Sequence, residues 1–172
     1  MLLAANHGVS AAGVVMIAPQ GRRLAQLLHD QYRLALSDAD VTRVDSAFAR
    51  YLRGENPGDA PPAAAPVLVP ANRNYMRSWA AYDPAAEVRR LNLPLLIMRG
   101  STDVQVSLLD AEALAAAQPR STLVRLDGVN HVLKPVSSNA IDEQTKSLRS
   151  PNVPLASSVV PAIVAWLELQ KP

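Results

Sequence analysis

The sequence predicts an α/β fold of about three parallel strands with flanking helices and one helical insertion. Three observations carry this. Three short apolar runs, at 13–19, 93–100 and 121–128, each have strand length and each end at Gly or Pro. Amphipathic helical patterns lie between and after them. A long segment with a composition of its own separates the first run from the second.

In the first two runs apolar residues follow one another without alternating: Val14, Val15, Met16 and Ile17, then Leu95, Leu96, Ile97 and Met98. Strands buried on both faces read this way. The third run, with Leu123, Val124 and Leu126 around Arg125, alternates more and suits a place at or near an edge. Segment 21–37 puts Leu24, Leu27, Leu28, Leu34 and Ala35 at helical spacing, and segment 40–53 does the same with Val41, Val44, Phe48 and Leu52. Segment 108–118, rich in Ala and Leu, fits the helix of a strand–helix–parallel strand crossover. Segment 159–169 reads as a closing helix, with Pro161 tolerable in its first turn.

Segment 56–70 differs in kind. It holds five prolines and a run of alanines, which predicts an extended, partly mobile connector. About 74 residues separate the first two strands, where a minimal crossover needs only ~30. The excess, 20–92, is a helical insertion within a single domain of 1–172. It is either a lid over a site at the strand ends or an appendage that covers apolar surface.

Composition removes several function classes. Seventeen Lys and Arg against fifteen Asp and Glu give a net charge of +2, too balanced to imply nucleic acid or a membrane surface. The basic residues are scattered, and one Phe makes no stacking platform. No cysteine means no disulfide scaffold, thiolate metal site or cysteine nucleophile, and is compatible with a cytoplasmic protein. No histidine and carboxylate cluster has metal-ligand spacing, and the glycines are too separated for a phosphate loop, so neither a metal site nor a phosphate loop is expected.

The candidate catalytic residues are Asp103 and His131. Asp103 lies three residues past the second apolar run, and His131 lies three past the third. Parallel neighbours would end ~5 Å apart, so both side chains emerge on the carboxyl edge, where open α/β sheets place their sites. A carboxylate there can accept the Nδ1 proton of the imidazole and leave Nε2 free as a general base. His7 reads as the tail of a first helix and His29 as an exposed helix residue.

Tyr82-Asp83-Pro84, the run Leu93-Pro94-Leu95-Leu96-Ile97 into Gly100-Ser101-Thr102-Asp103-Val104-Gln105-Val106, and Gly128-Val129-Asn130-His131-Val132-Leu133-Lys134 together resemble the carboxyl-terminal part of the α/β-hydrolase superfamily. The branch they resemble holds bacterial serine esterases and serine-peptidase-like proteins. In that family a Gly-x-x-Asp turn after strand seven holds the triad acid, and the triad histidine follows strand eight. The resemblance therefore implies a carboxylic ester hydrolase with a small-molecule ester substrate and no cofactor.

The family's nucleophile sits in a Gly-x-Ser-x-Gly elbow after strand five. The resemblance puts 1–6 at the end of the helix that follows the elbow, so the chain is expected to be truncated just past its serine. Gly8-Val9-Ser10-Ala11-Ala12-Gly13 is one residue too long for an elbow and precedes a strand. Ser101 reads as a turn residue, Ser107 as a helix cap, and Ser137 and Ser138 as loop residues after His131. Robust turnover by these residues alone is not expected. The alternative is a catalytically incomplete product acting only as a folded oligomeric or binding module. The first strand, without its usual neighbour, would pair with another copy, so a homodimer is expected.

Overall fold

A computed structural model of the chain describes residues 6–8 and 10–170. Segment 1–5, read above as the end of a helix, lies outside the described residues. Three strands form one parallel sheet in the order β1 (Val14–Ile17), β2 (Leu95–Gly100), β3 (Thr122–Leu126). The chain divides into two compact units, one of 1–21 with 84–172 and one of 22–83.

The sheet unit is built around β2, whose six residues are all buried. Its period of two sends Leu95 and Ile97 to one face and Leu96 and Met98 to the other. The first pair packs with Val14, Val88, Leu91, Ala111 and Leu114, drawn from β1, helix α4 (Pro84–Arg89), the turn after it, and helix α5 (Leu108–Ala117). The second pair packs with Leu126, Val129, Ala156, Val159 and Trp166, the last two on helix α7 (Val159–Glu168). Pro161 stands in the first turn of α7, where a missing amide costs nothing. Each large apolar side chain enclosed here contributes roughly 1.5–3 kcal/mol.

Strand β1 departs from the expectation of burial on both faces. Only Val14 is buried, and Ile17 is exposed, because β1 pairs with β2 alone among the described residues. Strand β3 is an edge, as its alternation indicated, with Leu126 its one buried residue.

The chain leaves β1 through a pinned point. The Gly21 amide donates to Asp110 Oδ1 at 3.1 Å, while the Ser107 hydroxyl donates to Asp110 Oδ2 at 2.8 Å. A Cβ on Gly21 would come within 1.8 Å of the Asp110 carbonyl oxygen, so only glycine allows this approach. Ser107 does stand at the N-cap of α5, but its hydroxyl serves the buried Asp110 carboxylate and not a helix amide.

The second unit is helical: α1 (Leu24–Arg33), α2 (Asp38–Arg53) and α3 (Arg73–Ala80). Ser37 caps α2 by accepting from the Asp40 amide at 3.2 Å, and Asp38 and Asp40 lie in the first turn, where the helix dipole favours them. The Pro-rich connector is not extended. It folds into 3₁₀ turns at Pro62–Ala64 and Pro70–Asn72, with Ala64 fully buried and Val69 accepting from the Tyr51 hydroxyl at 2.7 Å. Proline fixes φ near the turn value, so a proline-dense segment forms tight turns wherever an apolar residue such as Ala64 can be enclosed. Helix α6 (Ile141–Leu148), between β3 and α7, was not legible from periodicity. Among the described residues no helix is long and apolar enough to cross a membrane.

Candidate active site

Asp103 sits in the turn that ends β2. Its amide donates to the Gly100 carbonyl at 3.2 Å, closing the turn, and the Ser101 and Thr102 amides bond the carbonyls of Leu126 and Val129 across to the neighbouring strand end. The acid is therefore fixed by backbone on both sides. Its Oδ1 accepts the amides of Gln105 at 2.8 Å and Val106 at 3.0 Å, which leaves Oδ2 turned the other way. The carboxylate is fully buried.

Oδ2 meets His131 Nδ1 at 3.0 Å, and the imidazole remains 30 % exposed. One ring nitrogen is thus engaged by a buried acceptor while the ring keeps contact with solvent. That division of roles is what a general base needs. Strand β3 ends at Leu126, so His131 lies further beyond its strand than the apolar run suggested. A tight loop makes up the difference. It is held by a bridge between Val129 and Pro135 and by the Asn130 side chain, whose Oδ1 accepts the amides of Val132 at 3.2 Å and Lys134 at 3.0 Å.

Two residues beside the pair, Gly100 of the Gly-x-x-Asp turn and Arg99 before it, make the approach of the loops possible. Gly100 lies so close to the histidine loop that a Cβ would fall 1.9 Å from the Val129 carbonyl oxygen. Arg99, buried behind the turn, donates to the carbonyls of Asp103 at 2.8 Å and Val106 at 3.2 Å. Burial lowers its guanidinium from the ordinary arginine value, and the neighbouring Asp103 carboxylate works against that loss. Gly100 is legible as the glycine of a Gly-x-x-Asp turn, whereas the part Arg99 plays behind that turn carries no signal in a single sequence.

The serines fall as the sequence indicated. Ser101 Oγ accepts the Gly128 amide at 2.9 Å, a turn role. Ser137 and Ser138 both donate to the Glu143 carboxylate, at 2.8 and 2.6 Å, and Ser10 is exposed ahead of β1. None is engaged with His131. A second His–Asp pair, His29 Nδ1 to Asp45 Oδ2 at 2.7 Å, stands in the helical unit at a cavity of about 480 Å³ lined also by Ala25, Phe48 and Leu52. Both of its members are about two-fifths exposed, so it lacks the buried acid of the first pair. Among the described residues no group of three or more His, Asp or Glu could hold a metal.

The chain is 31% identical over 130 residues, 72% of its length, to Esterase EstD of Thermotoga maritima. The chain spans 30% of that esterase's own length. The match points to the α/β-hydrolase superfamily. No protein-family model matches it. Among solved structures, a bromoperoxidase from Bacillus anthracis aligns over 96% of this chain and 61% of its own, at 13% identity and a TM-score of 0.47. An esterase, RhEst1 from a Rhodococcus species, aligns over 84% of this chain and 57% of its own, at 19% identity and a TM-score of 0.39.

Proposed function

We propose that this α/β-hydrolase chain carries the acid and the base of a serine carboxylesterase. The observation that supports the reading best is the 3.0 Å contact of His131 Nδ1 with a buried, amide-held Asp103 at the carboxyl edge of a parallel sheet. Asp103 holds the Nδ1 proton, so Nε2 accepts the proton of a serine hydroxyl as its oxygen attacks the ester carbonyl. The imidazolium then returns that proton to the alkoxide as it leaves, giving an alcohol and an acyl-serine. Water, deprotonated by the same nitrogen, releases the acid and restores the serine.

No Gly-x-Ser-x-Gly occurs among the 172 residues. In this reading the nucleophile comes from sequence outside them. The missing elbow also favours a second reading, a catalytically incomplete folded module. The finer parts of the proposal are a cytoplasmic setting, compatible with a cysteine-free chain, and a homodimer through the open edge of β1.

The test is the reading frame upstream of Met1. An in-frame Gly-x-Ser-x-Gly is expected there, and a protein extended to include it should react with a fluorophosphonate at the elbow serine. In that protein His131→Ala should slow labelling by about 10²-fold or more. Absence of an elbow upstream, or labelling at an unchanged rate in the variant, would overturn the proposal.

A further inference from the structure

The proposed chemistry uses two side chains, yet a third element grips both of the loops that present them. Helix α6 turns one face, Gln144 and Ser147 at a spacing of three, toward the strand ends. Both residues are buried. Gln144 Nε2 donates to the Thr102 carbonyl at 3.0 Å and to the Ser138 carbonyl at 2.9 Å, so one amide group ties the acid's turn to the segment that follows the histidine. One turn further on, Ser147 Oγ accepts from Asn130 Nδ2 at 3.0 Å. Lys134 Nζ donates to the carbonyls of Ser147 at 3.1 Å and Ser150 at 2.7 Å, placing its ammonium at the carbonyl end of the helix.

The consequence is a pair held at every adjacent point. The carbonyls on either side of the Asp103 α-carbon belong to Thr102 and Asp103, and they are taken by Gln144 and Arg99 respectively. Asp103 Oδ1 is taken by two amides. What is left to the carboxylate is the direction of Oδ2, which faces the imidazole. On the other side, Asn130 is 1% exposed and spends its carboxamide oxygen on the amides of Val132 and Lys134, which close the loop around His131. The Asn130 amide and carbonyl bond Lys134 and Leu133, and Leu133 takes a left-handed φ of 63° to complete the reversal. Its carboxamide nitrogen is the group that reaches α6. A hydrogen bond that orients a base must keep its donor and acceptor within about 0.5 Å of the productive geometry. The two loops, separated by 28 residues along the chain, are joined directly by the Ser101 and Thr102 amides, and α6 adds a second tie from outside both.

We propose that α6 is the brace that sets the Asp103–His131 geometry, with Gln144 the positioning residue for Asp103 and Asn130, seated on Ser147, the positioning residue for His131. The inference rests on the reading of Asp103 and His131 as acid and base. It adds residues that touch neither substrate nor the reacting atoms and act through the pair.

The experiment is long-range proton–nitrogen NMR of the histidine rings in the ¹⁵N-labelled full chain, which reads tautomer and the Nδ1 proton directly. In the unaltered protein His131 should be held as the Nδ1–H tautomer, and Asp103→Asn should abolish that preference. Gln144→Met, equal in length but without a donor, should leave the backbone amide spectrum folded and yet lose the Nδ1 proton signal. Ser147→Ala should do the same more mildly. Ser37→Ala, which removes a helix cap in the other unit, serves as the control for mere loss of stability and should leave the ring unchanged. If the unaltered ring shows no Nδ1–H preference, or Asp103→Asn does not change it, the acid–base reading fails. If that preference depends on Asp103 but persists in both α6 variants, the pair survives and the brace is overturned. Unfolding of both α6 variants would overturn it too, as showing a helix that serves the fold alone.

Discussion

At Gly100 a single hydrogen atom decides whether the acid and histidine loops can meet. Every other residue brings a Cβ, which here would sit 1.9 Å from the Val129 carbonyl oxygen, far inside contact distance. The obstacle is backbone on an adjacent strand end, so it cannot rotate away. Gly100→Ala is therefore expected to cost about 2–4 kcal/mol and to push the 129–135 loop off the sheet edge. Urea denaturation measures the first effect. The second shows as loss of the His131 Nδ1 proton even where the variant is folded, and a variant of unchanged midpoint would show that the loops yield freely. The apolar runs that surround Gly100 announce a buried strand, but nothing in them distinguishes a glycine that ends a strand from one that admits a neighbour.

At the scale of elements, α6 joins the fold through its first turn as well as its buried face. Glu143 Oε1 accepts the amide and the hydroxyl of Ser137, and Oε2 accepts the hydroxyl of Ser138. The Ser138 hydroxyl first, then the amide and hydroxyl of Ser137, hold the Glu143 carboxyl down to about 2, from an ordinary 4.5. A depressed carboxyl contributes stability that is complete above its unfolded value and is lost as pH falls through the folded one. The difference in denaturation midpoint between the unaltered chain and Glu143→Gln should accordingly be full above pH 4.5 and shrink toward zero near pH 2. A difference that does not change across that window would mean the serines do not hold the ionised form. Helix α6 itself escaped the sequence pass because its buried positions are Gln144 and Ser147, which carry no hydrophobic period.

For the molecule as a whole, β1 leaves one edge of the sheet unpaired among the described residues, with Ile17 exposed along it. Unpaired backbone amides and carbonyls beside apolar side chains invite another strand. A two-fold dimer through this edge requires the two β1 strands to run antiparallel. Light scattering at micromolar concentration should report twice the 18.4 kDa of one chain, and a monodisperse species of that single mass would remove the dimer. Replacing Val15 with lysine should shift the population toward monomer without unfolding the sheet, since Val15 is only partly buried.

The sequence by itself determined the sheet and the two residues at its edge. Consecutive apolar positions mark 95–98 as a strand buried on both faces, and the end of that run places Asp103 in the turn after it, whereas β3 ends at Leu126 and leaves His131 further along its loop than the run indicated. These signals are local, because burial and strand geometry act on residues that are neighbours in sequence. Tertiary structure decided the rest. It turned the proline-rich connector into 3₁₀ turns with Ala64 enclosed, left Ile17 of β1 exposed, and put Gln144 against Thr102 across 42 residues. Those outcomes depend on which distant groups meet, and a polar side chain on a short helix acquires its meaning only from the carbonyl it reaches.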